Sequence, residues 1–157
     1  MASELHFRET QRFGQPWLWA LLVASALPSL VGLVRGTRSR RGVVRELATL
    51  AGVALLLRTA RLTTEVRDDA LYLKFWPLQR SFRRVPFDDV ASFESAGYSP
   101  VRYGGWGLRW TPRRVAYTVS GRSGVTFERE DGRSVYVGSD RPDDLVTAVQ
   151  EATDRTM

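Results

Sequence analysis

One stretch of the sequence constrains the fold more than any other: the twenty-two residues from Phe13 to Val34 carry no charge. As an α-helix this stretch would measure roughly 33 Å, which is enough to cross the hydrocarbon core of a bilayer. Trp17 and Trp19 lie at its start, where amphipathic rings favour the interface, and Pro28 would kink it. We therefore predict a transmembrane helix at 13–34. One alternative is a buried helix of a soluble protein. Another is a cleaved signal peptide, because residues 24–26 resemble a signal-peptide cleavage site.

A second apolar segment follows a basic loop, predicted at 35–42, which contains the sequence RGTRSRR. The uncharged core of this segment, Leu47 to Leu57, has eleven residues and is too short to cross a bilayer alone. Arginine stems near its ends can extend to the headgroups and lengthen the usable span. We predict a second transmembrane helix at 43–60, and so a helical hairpin preceded by an N-terminal tail at 1–12.

The charge is distributed unevenly along the chain. Residues 1–61 hold nine arginines and three glutamates, whereas residues 62–157 hold fourteen basic and fourteen acidic side chains. The whole excess of positive charge therefore lies beside the apolar segments, where membrane proteins place arginine. A high pI alone would suggest nucleic acid. This distribution instead favours an integral protein of a prokaryotic plasma membrane, with the C-terminal domain expected in the cytoplasm.

After Leu62 the periodicity changes from helical to alternating. Short stretches rich in β-branched and aromatic residues predict seven strands: LTTEV, LYLKF, FRRV, VASFE, VAYTV, VTFER and SVYVG. Asp131-Gly132 is the strongest hairpin signal. Residues 140–154 predict a C-terminal helix with acidic residues in its first turn. Its apolar residues form one stripe that would pack on the sheet, namely Leu145, Ala148, Val149 and Ala152.

Four stretches carry a resemblance to known proteins. They are FRETQRFGQPWLW, LTTEVRDDALYLKFWPLQRSFRRVPFDDV, RYGGWGLRW and AYTVSGRSGVTFEREDGRSVYVGSDRPDDL. In this order they resemble a family of small uncharacterised archaeal and bacterial membrane proteins, in which a bacterial pleckstrin-homology-like (PH-like) domain follows a helical hairpin. The resemblance implies a β-rich PH-like domain at 62–157, with about seven antiparallel strands in two near-orthogonal sheets and a C-terminal helix that closes one end. It implies membrane attachment, and no activity or site residue.

The residue types of the chain exclude several kinds of chemistry. The chain has no cysteine, and its single histidine, His6, precedes the first apolar segment. Histidine-metal sites and Ser–His–Asp catalysis are therefore not expected in the β domain. The glycines of RYGGWGLRW fit neither G-x-G-x-x-G nor the P-loop, and the adjacent acid pairs fall mostly at turns. We predict a protein that is not an enzyme, with no catalytic residue, no cofactor and no metal.

A window without acidic residues, from Ser95 to Phe127, interleaves arginines with aromatic residues. Such a surface suits nucleic acid, anionic lipid headgroups or acidic proteins. A membrane tether and the zero net charge of residues 62–157 argue against nucleic acid. The alternative is purely structural, with both tryptophans in the core and the glycines permitting a bulge. The candidate interaction patch consists of Arg102, Tyr103, Trp106, Arg109, Trp110, Arg113 and Arg114.

The sequence leaves three hypotheses for function. The leading one is a membrane-anchored PH-like interaction or scaffolding module that recruits or stabilises another membrane protein. The second is a domain that binds or senses anionic lipid headgroups at the bilayer surface. The third is an enzyme, which would need a pocket with convergent polar groups. For the patch itself, side-chain burial of Trp106 and Trp110 would decide between a core role and a surface role.

Overall fold

The computed structural model of the protein describes residues 4–97, 107–119, 121 and 123–154. The chain divides into two compact units. The helical unit is Phe13–Ala60, and the β unit combines Met1–Arg12 with Arg61–Met157. The helical unit is therefore an insertion in the sequence of the β unit.

The helical unit consists of α1 (Pro16–Val34) and α2 (Arg40–Thr59), which contact one another. Proline in the first turn suits the start of α1, because its missing N–H would have no helical partner. The Ser39 side chain accepts a hydrogen bond from the Gly42 N–H and so caps α2. Because that cap starts the helix at Arg40, the connecting loop is shorter than the 35–42 predicted.

A polar clasp joins the two helices. The Arg38 guanidinium donates to the Ser29 hydroxyl at 2.7 Å and lies 2.9 Å from a carboxylate oxygen of Glu46. Ser29, which is fully buried, also donates to Glu46. Gly32 makes the arrangement possible, because a Cβ at that position would lie 2.9 Å from the stem of Arg38. The loop arginine therefore folds back over α1 and links it to α2.

Among the described residues, α1 is the one helix long and apolar enough to cross a membrane. Its large apolar side chains are mostly exposed, including Leu21, Val23 and Leu27. In α2, by contrast, the first two turns contain Arg40, Arg41, Arg45 and Glu46. Length and composition show that α1 is compatible with a membrane, and a signal sequence has the same properties.

The β unit contains two sheets and one helix. Sheet 1 is antiparallel in the order β1-β2-β3-β4. Its strands are β1 (Leu5–Arg12), β2 (Arg61–Arg67), β3 (Ala70–Trp76) and β4 (Arg83–Pro86). Sheet 2 has the order β5-β8-β9-β7-β6. Its strands are β5 (Val90–Gly97), β6 (Gly107–Trp110), β7 (Arg114–Thr118), β8 (Ser123–Arg129) and β9 (Ser134–Gly138), and α3 (Pro142–Asp154) follows.

The β-rich region and its C-terminal helix confirm the coarse prediction. All seven predicted strands are present, and the Asp131-Gly132 turn joins β8 to β9 with Gly132 at φ +74°. Helix α3 buries its predicted apolar stripe and contacts strands of both sheets, β1 and β2 on one side and β5 and β8 on the other. A C-terminal helix that packs between two sheets closes the core of the β unit.

Two details of the predicted strand arrangement are wrong. The described residues form nine strands, because β1 and β6 were not expected. The pair β7 and β9 runs parallel, so the sheets are not entirely antiparallel. The reason is topological: β9 turns back from β8 and takes the place beside β7, which places two strands separated by β8 in one direction.

The prediction of a tail at 1–12 is wrong for Leu5–Arg12, which form β1 and pair with β2. The inward side chains of β1 are Phe7, Glu9 and Gln11, all buried. Two of these three are polar, so the strand lacks the apolar alternation that would have revealed it. The β unit therefore includes the residues before α1 as well as those from Arg61 onward.

Glu9 anchors β1 to the segment that leads into α3. Its carboxylate accepts a hydrogen bond from the Ser139 hydroxyl at 2.6 Å and another from the Asp140 backbone N–H at 2.9 Å. The Gln11 amide donates to the same carboxylate at 3.1 Å. A buried carboxylate with three donors is well compensated, and removal of it would leave those donors without a partner.

The carboxyl group of Asp140 lies beside this anchor. Burial and the nearby negative charge of Glu9 raise the pKa of Asp140, although a hydrogen bond from Gln11 acts in the opposite direction. The folded state therefore holds this proton more tightly than the unfolded state. The stability tied to the Asp140 carboxyl is full below its unfolded pKa and is lost as the pH rises through the higher folded pKa.

We predict that Glu9→Ala lowers the free energy of unfolding by about 2 kcal/mol, because the Ser139 hydroxyl and the Asp140 N–H lose a charged acceptor. Thr10→Ala, an exposed neighbour on β1, is the matched control and should change stability by less than about 0.5 kcal/mol. Thermal unfolding of the full-length protein in detergent measures both. Equal effects of the two substitutions would show that β1 is not anchored through Glu9.

A second prediction concerns pH. Asp140→Asn should raise the free energy of unfolding at neutral pH by about 0.5 kcal/mol, the size expected for a partly exposed pair, because it removes a carboxylate beside Glu9. The difference should vanish in acid, where Asp140 is protonated in the wild type. Asp143→Asn is the control with the opposite sign, since it removes a favourable charge from the first turn of α3. A stabilisation of Asp140→Asn that persisted unchanged in acid would contradict the assignment.

Candidate interaction groove

The structure describes four of the seven residues in the predicted interaction patch. Arg109 and Trp110 lie on β6, Arg113 lies in the turn after it, and Arg114 begins β7. Arg102, Tyr103 and Trp106 lie outside the described residues. The structure therefore shows for Trp110, but not for Trp106, whether the side chain is buried or exposed.

Trp110 is 81% exposed, so the purely structural alternative does not hold for this side chain. It is the last residue of β6, at the edge of sheet 2 in the described part of the chain. Side chains alternate along a strand, so Arg109 projects from the opposite face of β6. The structure does not bring Arg109 to the surface that Trp110 shares with the other arginines.

The turn between β6 and β7 places Arg113 at its tip. The Thr111 backbone N–H donates to the Arg114 carbonyl at 2.8 Å, and the Thr111 hydroxyl accepts from the Arg114 N–H at 3.0 Å. The Arg113 carbonyl in turn accepts a hydrogen bond from the Ser134 N–H of β9 at 2.9 Å. The tip is thus fixed to its own strands and to the neighbouring parallel strand, while the Arg113 side chain stays exposed.

These residues line a groove of about 440 Å³, which we call the arginine groove. Its walls come from β4, the β6–β7 turn, β7, the end of β8 and the start of β9. A smaller recess of about 220 Å³ adjoins it and adds Glu128 and Gly132. The arginines and the tryptophan that line the groove are Arg83, Trp110, Arg113, Arg114, Arg129 and Arg133.

The arginines of the groove fall into two classes. Arg129 is paired, with Asp89 at 2.9 Å and Asp131 at 3.6 Å, and Arg133 lies 3.8 Å from Asp131. The remaining three have no ion pair with any residue that the structure describes. They are Arg83, Arg113 and Arg114, all exposed. The groove therefore presents three uncompensated guanidinium groups around one exposed indole.

Three arginines of the groove were not predicted: Arg83, Arg129 and Arg133. Arg83 lies on β4 of sheet 1, whereas Arg129 and Arg133 flank the β8–β9 turn. The parallel register that pairs Arg114 with Ser134 brings that turn next to the predicted arginines. A sequence signal existed only for the two turn residues, which surround Asp131-Gly132. Their position opposite Arg114 required the unexpected strand order.

The chemistry of the groove is that of a binding surface. Guanidinium groups remain protonated at any physiological pH and offer planar arrays of donors, which match carboxylate and phosphate groups. An exposed indole adds apolar and cation–π contact. Among the described residues, no group of three or more histidine, cysteine, aspartate or glutamate side chains could hold a metal ion.

The paired and unpaired arginines should differ in their effect on stability. We predict that Arg129→Gln lowers the free energy of unfolding by about 1–2 kcal/mol, because Asp89 and Asp131 lose a charged donor. The double variant Arg113→Gln with Arg114→Gln removes no ion pair and should stay within about 0.5 kcal/mol of the wild type. Thermal unfolding of the full-length protein measures both, and a double variant less stable than Arg129→Gln would contradict this division.

The sequence of the whole chain matches no protein-family model and no curated protein. The basis for assigning a role to the arginine groove is therefore the charge and the exposure of the side chains that line it.

Proposed function

We propose that this protein is a membrane-anchored interaction module that binds an acidic segment of another membrane protein in its arginine groove. The observation that carries the proposal is the set of three exposed arginines without an acidic partner in the described residues. They surround a groove of about 440 Å³ beside the 81% exposed Trp110. An unpaired cluster of this kind is unfavourable by itself, and a ligand with carboxylate groups compensates it.

Membrane attachment supplies the setting for this binding. We propose that α1 and α2 both cross the bilayer as a hairpin, in the plasma membrane of a prokaryote, with the β unit in the cytoplasm. The length and composition of α1 support its half of the proposal. Exposed apolar side chains on α2, such as Val44, Leu55 and Leu56, support the other half. Arg45 and Arg58 would extend to the headgroups.

We further propose that the β unit belongs to the PH-like folds. Two sheets and a C-terminal helix that contacts both of them support this relation. The parallel pair of β7 and β9 departs from the antiparallel pattern of that fold. The proposed function does not depend on the relation, because it is derived from the side chains of the groove.

We propose a role in binding without catalysis, and the composition of the groove supports it. Its charged lining consists mainly of arginine, and a guanidinium group cannot exchange a proton near neutral pH. Of the carboxylates next to it, Asp89 and Asp131 are engaged in ion pairs with Arg129, and Glu128 lines the adjoining recess. General acid–base catalysis needs a group that is free to gain and lose a proton. The groove therefore suits recognition of negative charge.

Anionic lipid headgroups are a second candidate ligand for the same groove. Arginine contacts phosphate as readily as carboxylate, and tryptophan favours the membrane interface. The exposed indole of Trp110 next to Arg113 and Arg114 is the observation that favours this candidate. A crosslinker placed in the groove would capture a protein in the first case and a phospholipid in the second, and this difference provides the test.

We predict that a photo-crosslinking residue in place of Trp110 forms one discrete adduct with a membrane protein in intact cells. Thr147, an exposed residue on α3, is the control position and should give no such adduct. Combining the probe with Arg113→Gln and Arg114→Gln should abolish the adduct, because the acidic partner loses its counter-charges. Arg12→Gln with Arg61→Gln removes the same charge from exposed residues outside the groove and should preserve it.

The other outcomes are equally informative. An adduct whose mass corresponds to a single phospholipid would replace the protein partner by the lipid candidate. A protein adduct that persists in the Arg113→Gln, Arg114→Gln variant would show that the charges of the groove do not hold the partner. No adduct of either kind at position 110 would contradict a binding function for the groove.

A further inference from the structure

A second surface of the β unit carries features that the groove does not explain. The loop of residues 77–82 joins β3 to β4. It contains Leu78, which is 66% exposed, and Phe82, which is 37% exposed. Among the described residues of the β unit, four large apolar side chains are exposed, and this loop holds two of them. We call residues 77–82 the β3–β4 loop.

The conformation of the β3–β4 loop is fixed by contacts with the core. The Gln79 N–H donates to the Phe75 carbonyl at 2.7 Å, and the Gln79 side chain accepts from the Phe75 N–H at 3.1 Å. The Gln79 amide also donates to the hydroxyl of Tyr117, a fully buried residue of β7, at 3.1 Å. These bonds tie the residue next to Leu78 to both sheets. The exposure of Leu78 is therefore a property of a well-anchored loop.

Basic side chains surround the two apolar ones. The Lys74 ammonium lies 5.4 Å from the centre of the Phe82 ring and 5.9 Å from that of Trp76. Arg80 lies in the loop itself and is exposed. Neither Lys74 nor Arg80 forms an ion pair with a residue in the described part of the chain. Exposed apolar side chains accompanied by two cations without an ion pair in the described residues match a bilayer with anionic headgroups, because its surface offers negative charge above an apolar layer.

The strand register shows which end of sheet 1 carries this loop. Trp76, the last residue before it, pairs with Arg61, and Arg61 pairs with Arg12. Arg12 is the last residue of β1 before the helical unit, and Arg61 is the first residue after it. The β3–β4 loop and both connections to the helices thus lie at the same end of sheet 1. A membrane entered by α1 four residues after Arg12 would be close to this end.

From these observations we propose that the β3–β4 loop inserts into the anionic bilayer surface, with Leu78 and Phe82 below the headgroups and Lys74 and Arg80 at the phosphates. This inference rests on the proposed membrane attachment and is independent of what the arginine groove binds. The loop gives the β unit a second contact with the bilayer besides the covalent one. Two contacts restrict how the unit can turn, and so orient the groove toward partners in the same membrane.

The absence of cysteine from the chain makes a direct test possible. Single cysteines at Ser81 in the loop, Thr147 on α3 and Val23 in α1 are labelled with an environment-sensitive fluorophore in the full-length protein. Each variant is reconstituted into vesicles of phosphatidylcholine with phosphatidylglycerol, and into vesicles of phosphatidylcholine alone. Lipids that carry a nitroxide quencher on the acyl chain then report the depth of each label.

The expected result is quenching at position 81 several-fold stronger than at position 147, and stronger with phosphatidylglycerol than without it. Leu78→Asn should reduce the quenching because it removes the apolar anchor. Lys74→Gln with Arg80→Gln should reduce it as well, and should abolish the dependence on phosphatidylglycerol. Arg8→Gln with Arg141→Gln, which removes the same charge from exposed residues outside both the loop and the groove, should leave it unchanged.

The label at position 23 separates failure of this inference from failure of the proposed membrane attachment. Strong quenching at 23 with equal, weak quenching at 81 and 147 would overturn loop insertion and leave the membrane anchor intact. Weak quenching at all three positions would overturn the anchor, and loop insertion with it. Quenching at 81 that is unaffected by both Leu78→Asn and Lys74→Gln with Arg80→Gln would overturn the assigned roles of these side chains.

Discussion

The pairing of β1 with β2 is the interaction on which the rest of the structure depends. Arg12 and Arg61 are partners in this register, although the helical unit lies between them in the sequence. The pairing closes a long loop, which costs conformational entropy. Buried contacts of β1 offset that cost, above all Phe7 in the core and the Glu9 carboxylate with its three donors.

This arrangement makes the β unit depend on residues that precede the helical unit in the sequence. The chain cannot complete sheet 1 without residues from both sides of the helical hairpin. A fragment that began at Leu62 would lack β1 and leave Ser139 without its carboxylate partner. The same register directs the two helix connections and the β3–β4 loop to one end of the sheet.

Much of the fold could be predicted from local patterns, and the exceptions have clear physical reasons. Strands with alternating apolar residues, such as Leu71, Leu73 and Phe75 in β3, were recognisable because one face is buried. In β1 the inward positions include Glu9 and Gln11, whose burial depends on partners distant in sequence. Strand β6 has four described residues and begins with Gly107 at φ +114°, a short and unusual strand that periodicity does not reveal.

The candidate site shows the same division. Composition was enough to single out Trp110, Arg113 and Arg114, because aromatic and basic residues are concentrated in an acid-free window. It could not add Arg83 and Arg133, which reach the groove through the meeting of two sheets and the parallel pairing of β7 with β9. It also could not show which arginines are compensated. That property depends on Asp89 and Asp131, which pair with Arg129.

The charges of residues 62–157 sum to zero, yet not every charged side chain in this range has an ion-pair partner among the described residues. Acidic residues of sheet 1 are engaged locally, since Glu65 pairs with Arg67 and Asp69 with Arg84. Burial alone would raise the pKa of Asp69, but hydrogen bonds from Tyr72 and Arg84 outweigh it, so the pKa lies below its usual value. Cations that have no ion pair with a described residue remain at the groove and the β3–β4 loop, the two surfaces for which we propose anionic partners.

We propose that the helical unit, which interrupts the β unit in the sequence, crosses the membrane twice. The most direct measurement is the accessibility of single cysteines to a membrane-impermeant reagent in intact cells. Arg40→Cys probes the start of α2 next to the hairpin loop, and Thr147→Cys probes α3. The account predicts that Arg40→Cys reacts from outside, whereas Thr147→Cys reacts only after permeabilisation. Reaction of both from the same side would contradict it.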